Sequence, residues 1–327
     1  MSEPIEAAAG PVELEAWLTS TGRGVREIQP LTGDVSPRRY FRIQLDDGAS
    51  AILATYPPEV HGACPRFLWT TEILRNAGVR VPEVLASDCD AGWMLVEDLG
   101  LCTLGDWGRG RPWSELTGYF EHAMEIAGRI SRLPPDGLAE LNPRLGAELL
   151  GRELKQTWDL FLEPEGLLRD PGMAVDFRAA LDTLCETLGS AAPVPCHRDF
   201  MVRNLMQLPG GSGLAVLDHQ DLRLGPPLYD LASLLNDTLF PPPEGEAALL
   251  EAAGAGREEY HRAAAQRTLK AVGTYASFAR RGATRHLPLI PPTLARFVKH
   301  FSQVPEGEGL ATRLEEAWSP ALTPSRH

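Results

Sequence analysis

One stretch constrains this chain more than any other: Cys196-His197-Arg198-Asp199-Phe200-Met201-Val202-Arg203-Asn204, followed by Leu217-Asp218-His219-Gln220-Asp221. It sets a carboxylate, Asp199, on a loop, an amide five residues on at Asn204, and a second carboxylate, Asp218, beyond a hairpin. Two short strands, Asn204–Leu208 and Gly213–Leu217, flank a Pro-Gly-Gly-Ser-Gly turn and make that hairpin. Asp218 follows the apolar run Leu214–Leu217 and is projected from a strand end. A hydroxyl attacking phosphorus needs its proton accepted and its oxygen aimed in line, and a carboxylate on a rigid loop does both. An amide oxygen and a carboxylate are hard donors of the kind magnesium takes, with phosphate oxygens and water completing its shell. The spacing therefore points to phosphoryl transfer, with Asp199 as base and Asn204 and Asp218 as magnesium ligands. Taken singly, an Asp with an Asn five residues on is more often a loop or a cap. The joint arrival of His-Arg-Asp, the amide, the hairpin and the second carboxylate selects the chemical reading.

The chain around this stretch changes character near residue 100. Before it, a short amphipathic helix is predicted over residues 11–21, with Val12, Leu14, Trp17 and Leu18 on one face. Strands are predicted over 26–31, 40–45 and 49–56, the last two joined by the hairpin signal Asp46-Asp47-Gly48. A polar loop, Thr32–Arg39, separates the first two strands. A helix over 65–76 ends at Ala77-Gly78, and strands follow over 79–86 and 92–96. After residue 100 apolar residues recur at helical spacing over 113–133, 144–162, 175–188, 228–239, 257–281, 292–302 and 308–317.

Bulk composition narrows the partners. A net charge of −13 with no basic stripe argues against a nucleic-acid binder. The acidity is compatible with a cationic substrate, though solubility is its commoner meaning. Five cysteines without a C-x-x-C pattern read as reduced thiols, neither a zinc site nor a disulfide framework. The start Met-Ser-Glu-Pro-Ile-Glu lacks the features of a signal peptide, and no apolar run nears the ~20 residues of a membrane span. These observations lead to the expectation of a cytoplasmic protein with no membrane partner; oligomeric state is not legible.

The segments His197–Asn204, Val216–Asp221 and Gly225-Pro226-Pro227-Leu228-Tyr229-Asp230-Leu231-Ala232 resemble the aminoglycoside phosphotransferase superfamily. Further segments are similar to one group within it, the bacterial kinases that phosphorylate the anomeric hydroxyl of N-acetylmuramate and N-acetylglucosamine in cell-wall recycling. These are Gly33-Asp34 through Arg42, Tyr56–Glu59, Leu95–Gly100, Arg203–Met206 and Gln266–Lys270. The resemblance implies an α+β, two-lobed, protein-kinase-like fold. Residues 1–100 would form a small β-rich nucleotide-binding lobe ending in a hinge, and 101–327 a larger, mostly helical lobe with the catalytic loop and substrate site. It implies ATP and Mg2+ as cofactors and a small-molecule sugar as substrate. Glu97 and Leu99 would lie in the hinge whose backbone holds adenine. Asp230 would be a structural carboxylate tying the loop to the helix it begins.

Two departures from the wider pattern bear on charge. The third strand, Ala51-Ile52-Leu53-Ala54-Thr55-Tyr56, carries no lysine, and there is no G-x-G-x-x-G in the first loop. The cations available for the phosphates are Arg38, Arg39 and Arg42, with Arg39 and Arg42 taken as nucleotide contacts. Their competing reading is a solvated basic loop. The lactyl carboxylate of N-acetylmuramate calls for a cation near Asp199. Arg203 lies in the loop itself, and Gln266, Arg267 and Lys270 cluster on a helix, where a solvated face is the commoner state of such residues. Two rivals remain beside an anomeric sugar kinase: a kinase for aminoglycosides or other small alcohols, and a nucleotide-binding pseudokinase scaffold, which the missing lysine motivates.

Overall fold

The computed structural model describes residues 11–31, 37–211 and 213–322, which form two compact units. The first unit runs to Leu101 and takes in Met206–Asp221; the second comprises Cys102–Leu205 and the chain from Leu222 onward. The Gly33-Asp34 segment, Ser212 of the hairpin turn and the first six residues lie outside the described residues, as does the side chain of Val12.

The first unit contains α1 (Pro11–Ser20), β1 (Val25–Leu31), β2 (Arg39–Leu45), β3 (Ser50–Thr55), α2 (Ala63–Asn76), β4 (Val84–Asp88) and β5 (Trp93–Glu97). The strands form one antiparallel sheet in the order β1-β2-β3-β5-β4. Alternation in β2 buries Phe41, Ile43 and Leu45 on one face, where Leu14 and Leu18 of α1 cover them together with Leu53, Trp93 and Leu95. The runs in β3 and β5 are apolar on both faces, because α2 covers the second face: Ala54, Met94 and Val96 meet Ala63, Cys64 and Phe67. At the predicted hairpin Gly48 adopts φ 86°, the left-handed conformation that the turn requires. β4 begins at Val84, later than predicted. The Val79 amide donates back to Leu74 at the exit of α2, Arg80 accepts from Val216, and Pro82 interrupts the run.

The cysteines correct the reading of reduced thiols. Cys64 in α2 and Cys89 after β4 form a disulfide with Cα atoms 5.5 Å apart, while Cys102, Cys185 and Cys196 are free. No local spacing announces the pair, since α2 packing over the sheet is what brings the two residues together. The cysteines then cease to speak for a reducing compartment.

The second unit is helical: α3 (Leu104–Gly108), α4 (Trp113–Ile130), α5 (Leu138–Leu141), α6 (Ala147–Thr157), α7 (Pro171–Ser190), α8 (Tyr229–Leu235), α9 (Pro243–Ala252), α10 (Arg257–Arg280), α11 (Ile290–Phe301) and α12 (Leu310–Leu322). The second unit also holds the short strands β6 (Val194–Cys196) and β9 (Arg223–Gly225), while β7 (Leu205–Gln207) and β8 (Leu214–Val216) fall, but for Leu205, in the first. β7 and β8 pair as the predicted hairpin. α8 stops at Leu235, short of the predicted end, and Pro243 at a first-turn position starts α9, which the sequence reading missed. Phe177, Phe297, Phe301 and Trp318 form an aromatic core, with the rings of Phe301 and Trp318 5.9 and 5.4 Å from that of Phe177. α6 and α10 cross closely at Gly273, where a Cβ would sit 2.2 Å from Thr157 Oγ1. Thr157 Oγ1 donates to the Leu269 carbonyl at 2.8 Å across this crossing, which sets Glu153 of α6 beside Lys270 of α10.

The disulfide closes a segment of 25 residues. On the chain-entropy account such a loop contributes about 3 kcal/mol. The double variant Cys64→Ser, Cys89→Ser is expected to unfold at correspondingly lower urea concentration; equal midpoints for variant and non-reduced parent would refute this.

Candidate active site

The loop that carries Asp199 is fixed at its start by backbone. β6 pairs antiparallel with β9, Cys196 opposite Arg223. The next two amides, of His197 and Arg198, donate to Asp230 Oδ2 and Oδ1 at 2.7 and 2.9 Å. Asp230 sits in the first turn of α8 and is buried, so one carboxylate takes two successive N–H groups that would otherwise lack partners. This is the role expected of it. Burial pushes its carboxyl up to about 6, against the opposing pull of His197 and the two amides. Arg198 takes a left-handed backbone, φ 76°, as do Asp218 (58°) and Leu228 (62°). The Asp199 carbonyl then accepts from the Met201 amide (2.9 Å) and from Asn204 Nδ2 (2.8 Å). This bond uses the Asn204 nitrogen and not its oxygen, a hard, neutral donor of the kind magnesium takes.

Around Asp199 the second unit gathers charge. Oδ1 lies 3.2 Å from Lys270 Nζ and 3.5 Å from Arg267, and Oδ2 lies 3.9 Å from Arg198 Nε. Glu153 lies 2.6 Å from Arg198 and 3.4 Å from Lys270, and accepts from Gln266 Nε2 at 3.3 Å. Burial alone would raise the Asp199 carboxyl, but Lys270, Arg198 and Arg267 hold it well below the usual carboxylate range. Its side chain is 26 % exposed and remains reachable. Burial also works against the charge of Lys270, which is lowered despite Asp199 and Glu153 beside it. Gln266, Arg267 and Lys270 are all buried, so they do not form the solvated face that their residue types suggested. Arg203 is paired with buried Asp237 at 2.8 Å and lies over the Tyr275 ring at 5.8 Å. Glu153 and Asp237 were not found from sequence. Neither belongs to a motif, and each becomes visible only when its partner's element packs against it.

In the first unit, Asp218 leaves the end of β8. Its Oδ1 accepts from Gln220 Nε2 (2.9 Å) and from Arg38 (2.7 Å). His219 is buried, with Nδ1 2.7 Å from Thr70 Oγ1 and its ring 4.3 Å from that of Phe67, so α2 anchors the turn after Asp218. Along residues 97–100, Glu97 pairs with Arg80 and accepts from the Glu83 amide at 3.1 Å. Burial would raise the Glu97 carboxyl, but these two partners hold it low. Asp98 takes a fork from Arg42 (2.6 and 3.1 Å) and the Ser50 hydroxyl (2.7 Å). Leu99 is buried with Met206 and Ala215. Arg42 is thus committed to Asp98, whereas Arg39 is exposed at the head of β2, opposite Thr55.

Asp230→Asn retains one acceptor oxygen and turns an NH2 toward a backbone N–H. It is expected to lose about 1–3 kcal/mol of stability. In the parent protein, protonation below about pH 6 converts one of the two acceptor oxygens into a donor. Turnover should therefore fall as pH drops through that value. A turnover profile flat between pH 5 and 7 would contradict this.

Comparison with known proteins gives the chain's family and fold. A model described as the phosphotransferase enzyme family matches residues 27–265. The chain is 30% identical over 312 residues to the N-acetylmuramate/N-acetylglucosamine kinase of Pseudomonas aeruginosa, covering 86% of this chain and 89% of that protein. It is 31% identical over 291 residues to the protein of the same name from Pseudomonas putida, covering 84% and 82%. Among solved structures, choline kinase LicA from Streptococcus pneumoniae superposes with a TM-score of 0.63 at 16% identity, covering 92% of this chain and 98% of that one, and LicA has also been solved with AMP. The last likeness speaks to fold, an α+β kinase-like architecture of β-sheet and helical lobes. With the family's model matched over most of its length, the chain belongs to the phosphotransferase enzyme family.

Proposed function

We propose that this chain is an ATP-dependent kinase that phosphorylates the anomeric C1 hydroxyl of an N-acetylated amino sugar, N-acetylmuramate or N-acetylglucosamine, with Mg2+ as cofactor. The observation that carries the reading is the tethered loop, where Asp199 stands ionised and its own carbonyl orients Asn204. Relatives of about 30% identity along most of the chain carry the sugar-kinase name, which supports the substrate class. A related fold solved with AMP supports an adenine nucleotide.

In this reading Asp199 aims the C1 hydroxyl at the phosphorus and takes its proton. The cations around it make Asp199 a weak base in the resting protein. That suits a loose transition state, in which bond-breaking to the leaving group runs ahead and the proton leaves late. Asn204 and Asp218 are the residues that would hold magnesium, which supplies charge neutralisation for the phosphates. Glu97 and Leu99 offer backbone groups to adenine, Arg42 fixes that segment through Asp98, and Arg39 is an exposed cation for the nucleotide. Arg203, Arg267 and Lys270 form the substrate side. Arg198, Arg267 and Lys270 outnumber Asp199 and Glu153 in this cluster, which suits a lactyl carboxylate and disfavours a polycationic aminoglycoside. ATP as donor places the activity in the cytoplasm. Disulfides are uncommon there, and the full burial of Cys64 would shield its bond to Cys89 from thiol reductants.

Asp199→Asn is expected to lower kcat by ~10²- to 10⁴-fold while ATP affinity stays within about twofold of the parent, because the residue acts on the acceptor. Near-normal turnover in that variant would sink the mechanism. Arg203→Met is expected to lower kcat/KM for N-acetylmuramate ~10-fold more than for N-acetylglucosamine, read by a coupled assay on both sugars. Phosphate transfer to kanamycin and to neither N-acetylated sugar would reverse the order of substrates.

A further inference from the structure

The protein has three lysines, Lys155, Lys270 and Lys299, and all lie in the second unit. Cationic chemistry in the first unit must therefore come from its eight arginines, four of which have partners elsewhere. Arg42 and Arg80 belong to Asp98 and Glu97. Arg23 and Arg26 donate to backbone carbonyls. Arg38 differs from these. It precedes β2, whose first residue Arg39 is paired with Thr55, the last residue of β3. Arg38 is thereby level with Tyr56, just past the end of the lysine-free strand. Its guanidinium is only 15 % exposed, lies 5.8 Å from the Tyr40 ring centroid, and donates to Asp218 Oδ1 at 2.7 Å.

A desolvated guanidinium paired with a proposed magnesium carboxylate supplies that carboxylate with a counter-charge. Once the carboxylate has a dication for its partner, the guanidinium needs another anion. Its planar fork matches a pair of phosphate oxygens better than any other group the reaction brings. We propose that Arg38 is the desolvated phosphate-binding cation of this protein, beside the exposed Arg39. It pairs with Asp218 and presents its fork to the nucleotide's phosphate oxygens. It thus reaches from the neighbouring strand to do what β3 has no lysine to do. This inference rests on the kinase reading above and adds to it a residue for the nucleotide's charge.

The test is calorimetric titration of full-length protein with ATP and, by competition, with adenosine, without any sugar. Arg38→Met is expected to weaken ATP ~10- to 100-fold, the range lost with a charge-assisted hydrogen-bonded pair, and to leave adenosine within twofold. Arg38→Gln carries the same expectation and keeps a polar group beside Tyr40 and Tyr56, so it decides the matter if Arg38→Met does not fold. ATP affinity within twofold of the parent in a folded variant overturns the inference, and so does an equal loss for ATP and adenosine. Parent protein that fails to bind ATP overturns the kinase reading and this inference with it. Parent protein that binds ATP, with variants that match it, overturns this inference alone.

Discussion

Two backbone amides on one buried carboxylate organise the chemical half of this molecule. Asp230 begins α8, whose residues are all buried, and it grips the amides of His197 and Arg198 just before Asp199. The grip joins a helix that cannot move to a loop that must not. It also dictates where Arg198 points, and Arg198 in turn reaches Glu153 on α6. From there the ion cluster follows, because the close α6–α10 crossing at Gly273 has already placed Lys270 within range of both carboxylates. Loss of any one partner in such a cluster leaves a buried charge uncompensated, which is far costlier than the net worth of an intact pair.

Charge in this protein is distributed by residue type as well as by place. Lysine, a compact point charge, stands on α10 beside Asp199, where a group of small volume fits between two carboxylates. Arginine, a planar fork, is used wherever two acceptors lie side by side, as at Asp98 and at Asp237. The first unit has no lysine, and four of its eight arginines are tied to the carboxylates of Glu97 and Asp98 or to backbone carbonyls. Two of the others, Arg38 and Arg39, stand together at the start of β2.

Much of this was legible in the sequence, for reasons that can be stated. The loop and the hairpin of the candidate catalytic stretch were readable because each is local in the chain: Asn204 meets the Asp199 carbonyl five residues back, and β7 pairs with β8 across a short turn. β2 was readable because period-two burial shows in the order of Phe41, Ile43 and Leu45. What was not readable depends on elements meeting across long separations. Glu153 is an ordinary helical glutamate until α10 crosses it, and Gln266, Arg267 and Lys270 look like a solvated face until α6 and α8 cover them. The Cys64–Cys89 bond has no local signature, and composition near residue 100 gives no hint that Met206–Asp221 rejoins the first unit. The charge of Arg39 and Arg42 was visible, but which carboxylate claims Arg42 was settled by the pairing of β2 with β3 and of β3 with β5.

The left-handed backbone at Arg198 has a consequence for which side chains position 198 will tolerate. An L-residue there costs about 1–2 kcal/mol relative to glycine, so glycine would relax the loop. Glycine would also take away the guanidinium that lies 2.6 Å from Glu153, leaving that buried carboxylate to Lys270 and Gln266. Backbone ease and charge balance pull in opposite directions at a single residue. The arginine at the bend marks a site where electrostatics has prevailed over conformational comfort, so a more relaxed loop here would carry a less balanced centre.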